Sequence, residues 1–255
     1  MNILLTNESG CFRPGIIALA KELSTQHRVV IVAPLNPQIN CGHAFTHDVP
    51  LRAQQYFELR NVKIFSVNGT PCDCVTLALD KILHSKPDLI ISGIRERHSR
   101  GEFCYSSGVV SSAIEGTIQG IPSIAISAKI IDSNNEAEFS KIAKCFSKNL
   151  NCFLKHLTPG ITLNINFPEK FKPKDIVATQ LTSQMANCNF RYEVNPFGKV
   201  FYWLDSPPTG YALTALEQKG DLYWLKRGFI TVTPLKLNMT DEDSIPIVEK
   251  GGIKL

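Results

Sequence analysis

The stretch NILLTNESGCFRPGIIALAKEL, residues 2–23, followed by RVVIVAP at residues 28–34, decides how this chain is read. NILL (2–5) is a short apolar strand that runs into a polar loop holding one carboxylate, Glu8, beside a hydroxyl, Ser9. Pro14 suits the first turn of a helix, where a missing N–H would be unpaired anyway. Apolar residues then recur with helical spacing to about Glu22. RVVIVAP is β-branched and apolar almost throughout, as a strand buried on both faces requires. Strand, polar loop, helix and strand form a parallel-sheet unit, and open sheets of this kind place their chemistry in loops beyond the strands' carboxyl ends.

The unit repeats. VKIFSVNG (62–69) is a third strand, followed by a helix over CDCVTLALDKIL (72–83). PDLIISG (87–93) is a fourth, followed by a loop and a helix over GVVSSAIEGTIQG (108–120). IPSIAIS (121–127) is a fifth, with a helical stretch over 136–157. The pattern predicts an α/β protein with a mainly parallel sheet and helices on both faces. It also puts the loops after residues 5, 34, 69 and 93 on one rim. After residue 160 the texture changes to strands without long helices, in TLNINFP, DIVATQL, GKVFYWL and FITVTPLKLNM. This half reads as an antiparallel β arm, giving a core over 1–160 and a β-rich part over 161–255. Between about residues 175 and 240, Phe201, Trp203, Phe229 and Val232 are expected to be buried by a second subunit.

With 44% hydrophobic and 20% charged residues, the composition is that of a globular protein rather than a disordered or membrane-spanning one. A net charge of +4 without a dense Lys/Arg run argues against a nucleic-acid polymer as partner. The start lacks a basic segment and a long apolar one, so no signal peptide is expected. The apolar runs fall short of the ~20 residues of a membrane span, so no membrane partner is expected. Cys11, Cys41, Cys104, Cys145, Cys152 and Cys188 have no metal-site spacing, and Cys72 and Cys74 are too close for a zinc knuckle. Reduced thiols and a cytoplasmic location follow as the expectation.

Four motifs carry candidate chemistry. In GEFCYSSG (101–108), Ser107 and Gly108 open a helix, which makes either an N-cap or a seat for an anion. GTPCDCV (69–75) reads as helix-start chemistry. HAFTH (43–47) spaces two histidines four apart, but Thr46, Val49 and Pro50 disfavour the helix a metal site would need. RERHSR (95–100) gathers three arginines and a histidine in a rim loop, where arginine forks suit phosphate or carboxylate. Neither a P-loop nor a dinucleotide fingerprint is present.

Together these pieces resemble the SurE family, the stationary-phase survival proteins. The likeness runs through ILLTN with Pro14-Gly15, VVIVAP, Thr46, Leu51-Arg52, GTPCDCV, DLIISGI, YSSGVVSSAIEG, NINFP and RGFITVTPL. It implies a Rossmann-like core with an arm that builds homodimers or homotetramers. It also implies a metal-dependent phosphatase for nucleoside 5'- and 3'-monophosphates and sometimes short polyphosphate. The ligand positions depart from the family pattern. Two adjacent aspartates are Glu8 and Ser9 here, a serine is Ile39, and an asparagine after SGI is Arg95. The glycine and asparagine that follow are Arg97 and Ser99. Ser107 and Gly108 match the phosphate seat, while the next threonine is Val109.

Three readings stay open on these residues. One is an oligomer with little or no metal-dependent phosphatase activity that still binds a phosphorylated or anionic small molecule at Arg95, Arg97, Ser107 and Gly108. In it Arg95 is a tethered cation, pairing with Glu8 and leaving part of its donor fork for the anion. The second is an active 5'-nucleotidase with a shifted Mg²⁺ or Mn²⁺ site built from Glu8 with Ser9, Asn40, Glu96 or Glu102. The third is a purely structural or interaction role. No resident cofactor is expected unless the family activity is kept.

Overall fold

The computed structural model describes residues 1–59, 62–183, 189–205 and 219–250. The first unit is β1 (Asn2–Thr6), α1 (Pro14–Leu23) and β2 (Arg28–Pro34). Next come β3 (Ala53–Leu59), β4 (Val62–Val67) and α2 (Pro71–Leu77), which widens into a π-helical turn over Ala78–Ile82. Then follow β5 (Leu89–Arg95), α3 (Phe103–Ser106), α4 (Gly108–Ile118), β6 (Ser123–Ala128) and α5 (Glu136–Leu154). The last part holds β7 (Ile161–Phe167), β8 (Ile176–Ala178), β9 (Asn189–Val194), β10 (Val200–Asp205), α6 (Asp221–Leu225), β11 (Ile230–Lys236) and α7 (Ile245–Lys250).

A nine-stranded sheet has the order β3-β4-β2-β1-β5-β6-β7-β11-β8. From β4 to β7 neighbouring strands are parallel, whereas β3 and β11 join antiparallel. Strand alternation splits the core into two faces. Ile3 and Leu5 pack with Ile16, Leu19, Phe139 and Phe146 under α1 and α5, while Leu4 packs with Val32, Cys74 and Val75 under α2. Spacing of three and four residues, at Ile16, Leu19, Ala20 and Leu23, gives α1 its buried stripe. The capping box between Thr70 and Asp73 starts α2, and the Ser107 hydroxyl caps α4. Among the described residues no helix is long and apolar enough to cross a membrane.

The expected division at residue 160 does not coincide with a structural boundary. β7 continues the parallel series beside β6, and β11 and β8 extend the same sheet. What stands apart is the antiparallel ribbon of β9 and β10. Phe201 and Trp203 are exposed on it. Val232 instead packs against the main core, and Phe229 lies edge-on to Trp224 at 5.0 Å. Both are half-buried within the chain, and β11 pairs with β7 rather than with the ribbon. Part of the predicted arm, residues 206–218, lies outside the described residues.

Candidate functional site: the crevice at the strand-order reversal

The strand order reverses between β1 and β5, so the loops after these strands diverge and leave a crevice. Glu8 enters it from the β1 loop and Arg95 from the end of β5. The register of β5 on β6 shifts between Ser92 and Arg95. Gly93 sits there at φ +144°, where a Cβ would lie 2.4 Å from the Ile126 carbonyl oxygen. Only glycine fits, and such a bulge re-aims the side chains beside it.

Arg95 Nε lies 2.7 Å from Glu8 Oε1, so the pairing expected from sequence is present. Neither atom has an aligned hydrogen bond, so the contact is a charge pair held by proximity. The other carboxylate oxygen, Oε2, accepts the Gly108 N–H at 2.8 Å. The rest of the Arg95 fork is engaged as well. One terminal nitrogen donates to Ser99 Oγ at 3.2 Å and the other to Asn40 Oδ1 at 2.5 Å. Asn40 reaches this position through a left-handed backbone, φ 58°, which asparagine tolerates better than most residues. Glu8 is fully buried and Arg95 is 4% exposed, whereas Asn40 lies at the surface. Burial pushes the Glu8 carboxyl up, against the opposing pull of Arg95 and the Gly108 amide. Burial likewise pushes Arg95 down, with Glu8 opposing.

At the expected phosphate seat the chain's own groups meet. The donors at the start of α4 are present, but the chain's own carboxylate takes the Gly108 amide, and the Ser107 hydroxyl caps Val110. Arg97, expected as a second phosphate contact, is exposed and takes no part in the crevice's hydrogen bonds. The Ser9 hydroxyl turns to Glu96 Oε2 at 2.8 Å, and the other Glu96 oxygen lies 3.7 Å from Arg13. Ile39 is 48% exposed and brings only hydrocarbon to the rim.

Ser99 is the hub that sequence reasoning noted only as a departure. Its hydroxyl meets those of Ser107 and Ser127 at 2.8 Å each, besides accepting from the Arg95 guanidinium. Its carbonyl accepts from Asn164 and Asn166, the two asparagines of NINFP. The loop after β5 is thereby clamped to β6 and β7. The loop after β2 is clamped too. His43 pairs with Glu115 at 2.9 Å, and Thr46 holds Asp73 through its hydroxyl and its backbone N–H. The rings of His43 and His47 flank that of Phe45 rather than converging. Among the described residues no group of three or more His, Cys, Asp or Glu side chains is placed to share a metal ion. Seven cysteines are free thiols; Cys188 lies outside the described residues.

The fold defines a doubly wound α/β protein with a crevice at the strand-order reversal. The model of the survival protein SurE family matches residues 3–190. The 5'-nucleotidase SurE of Thermoanaerobacter sp. (strain X514) is 34% identical over 257 residues, covering 100% of both chains. That of Clostridium beijerinckii is 36% identical, covering 94% of this chain and 95% of its own. A crystal structure of the SurE protein from Aquifex aeolicus superposes with a TM-score of 0.81 at 32% identity, covering 99% of this chain and 100% of its own. The chain belongs to the SurE family.

Proposed function

We propose that this chain is a SurE-family protein whose crevice is sealed by its own ion pair, leaving little or no metal-dependent phosphatase activity. The observation that carries this reading is the Arg95 guanidinium seated on Glu8 while the Gly108 amide holds the carboxylate's other oxygen. The relatives compared above are named 5'-nucleotidases, and the resemblance implies Mg²⁺ or Mn²⁺ at this position. Such ions need an octahedral shell of oxygens at about 2.1 Å. Here one carboxylate is already engaged on both oxygens, Ser9 is turned to Glu96, and Ile39 has no oxygen to give. At ~4 Å and an effective dielectric near 20, a guanidinium repels a divalent ion by roughly 8 kcal/mol. The residues do not fit the metal.

Arg95 neutralises Glu8 as a tethered cation. It carries no ionisable water, so it supplies no nucleophile to a phosphate ester. The exposed apolar side of the β9–β10 ribbon, with Phe190, Tyr192, Tyr202 and Leu204, completes the reading as a self-association surface. Free thiols suit a reducing, cytoplasmic setting.

The test is hydrolysis of p-nitrophenyl phosphate and nucleoside monophosphates with Mn²⁺ or a chelator, alongside Mn²⁺ calorimetry. Wild type is expected to show neither ordinary turnover nor tight Mn²⁺ binding. Combining Glu8→Asp, Ser9→Asp, Ile39→Ser and Arg95→Asn is expected to restore metal binding. Tight Mn²⁺ binding with nucleotide turnover by wild type would establish the shifted-site nucleotidase instead.

A further inference from the structure

The loop that follows β5 is held on several sides. Inward, Arg95 meets Glu8 across the crevice. Further on, Ser99 is clamped to β6 and β7. His98 and Arg100 border a cleft of about 840 Å³ beyond β6 and β7, shared with Lys129, Phe171 and the α6 residues Leu222 and Leu225. His98 donates to the Phe167 carbonyl through Nε2 at 2.9 Å, and burial pushes its pKa down to about 4. The far end of the loop is held by a residue that takes no part in the crevice. Asp221, the first residue of α6, is fully buried.

A buried carboxylate persists only where donors replace its water. Asp221 Oδ2 accepts the Gly101 N–H at 2.9 Å. Its Oδ1 accepts the Thr182 hydroxyl at 2.7 Å, the Thr182 N–H at 3.1 Å and the Leu222 N–H at 2.7 Å. Burial pushes the Arg100 guanidinium down, and Asp221 opposes that shift. The donors come from two distant parts of the chain. Gly101 lies near the end of the crevice loop, and its carbonyl accepts the Cys104 N–H in α3, the helix that leads to Ser107 and Gly108. Thr182 stands on the segment that leaves β8 for the β9–β10 ribbon, and Asp221 on the segment that returns from it. Outgoing and returning segments are joined at this root. Gln180 donates its N–H to the Lys219 carbonyl at 3.1 Å, and Asp221 donates its own to the Gln180 carbonyl at 2.9 Å. Loop and root also touch directly. At Gly101, φ +48°, a Cβ would lie 2.5 Å from the Thr182 carbonyl oxygen.

We propose that Asp221 is a latch coupling the root of the β9–β10 ribbon to the crevice loop, so that displacing the ribbon frees the loop that carries Arg95 and Ser99. The coupling runs through a shared acceptor. If the root moves, Thr182 withdraws its two donors from Oδ1, and the carboxylate is no longer held in place for Gly101. A buried carboxylate stripped of donors is costly, so root and loop open as one unit. The regulatory sense of the latch rests on the reading of the ribbon as a self-association surface. A second copy that grips the ribbon then makes opening of the loop rarer, by the reciprocity that binds any two coupled equilibria. The latch itself does not depend on that reading.

Backbone amide exchange in the full-length protein tests this. The reporter is Ser99, whose N–H donates to Asn166 Oδ1 at 2.8 Å and so touches no latch atom. Ile31, buried in β2, reports opening of the whole domain. Asp221→Asn keeps the shape and removes the charge, and is expected to speed exchange at Ser99 by about tenfold or more, as loss of a charge-assisted hydrogen bond implies. Thr182→Val withdraws the hydroxyl from the ribbon side alone, and is expected to act in the same direction by a smaller factor. In both variants the change at Ser99 is expected to exceed that at Ile31. Equal acceleration at the two amides, or a Ser99 rate that stays at wild type, would overturn the latch. Sedimentation of the same samples separates it from the self-association reading. In an associating wild type, dilution to the monomer is expected to speed Ser99 exchange, and Asp221→Asn to abolish that dependence. A Ser99 rate indifferent to dissociation would overturn the coupling. A wild type monomeric at every concentration would sink the self-association reading, and the two variants would still decide the latch.

Discussion

The crevice between β1 and β5 and the cleft beyond β6 and β7 lie on one rim and share one loop, yet one buries its charged groups and the other keeps most of them at the surface. In the crevice each ionisable group has its complement. Glu8 meets Arg95 and the Gly108 amide, while Glu96 accepts from Ser9 and lies near Arg13. The cleft is lined by six cations and two carboxylates, with Glu169 paired to Lys129 and Asp221 acting on Arg100. A satisfied buried pair gives an incoming ion nothing to compensate, and its own desolvation makes it costly to open. Presence of the right residue types on the right rim is therefore not enough. Whether their charges are already spent on each other decides what the rim can do.

The contrast breaks most visibly at Arg95. Arg95→Met leaves the buried Glu8 carboxylate without its cation and is expected to cost about 3–5 kcal/mol in urea denaturation. Glu8→Gln/Arg95→Met is expected to recover much of that loss, since no charge remains buried. A neutral effect of Arg95→Met would mean that the crevice is not a closed structural unit. Gly108→Ala is the next largest. Its Cβ would lie 2.9 Å from Cys41 Sγ and 3.0 Å from Glu8 Oε2, an overpacking expected to cost about 1–3 kcal/mol in the same assay.

The smallest effect belongs to His98. Its pKa is depressed from 6.5 to about 4 in the folded chain, so its contribution is present above pH 6.5 and is lost as pH falls through about 4. The thermal midpoint should decline across that window. The decline should be shallower in His98→Gln, which keeps a donor for the Phe167 carbonyl. An identical pH profile in the variant would show that the buried His98 does not set this decline.

Much of the fold is legible because buried parallel strands write themselves as apolar runs. NILL, RVVIVAP and PDLIISG each mark a central strand. The edge strand β3, AQQYFEL, escapes because it is antiparallel, polar and partly exposed, so its pattern resembles loop. The placement of β7 and β11 escapes for a different reason. Alternation reports that a strand is buried, not which neighbour buries it. At the crevice, the Glu8–Arg95 pairing follows from loops on a shared rim. That Glu8 would also take the Gly108 amide does not, because it depends on how closely α4 approaches β1. RERHSR was legible as a basic loop, but its division between an inward Arg95 and an outward His98 and Arg100 rests on the bulge at Gly93 and the clamp on Ser99.

The two ends of the large sheet carry one more consequence. At one end β8 is three residues long. At the other β3 shifts register between Tyr56 and Leu59 and turns Gln54 and Gln55 outward. An incoming strand would find only a short or interrupted row of free backbone donors and acceptors at either end. Open-ended growth by edge-to-edge addition, the route toward fibrous aggregates, is thus obstructed by geometry on both sides of the sheet.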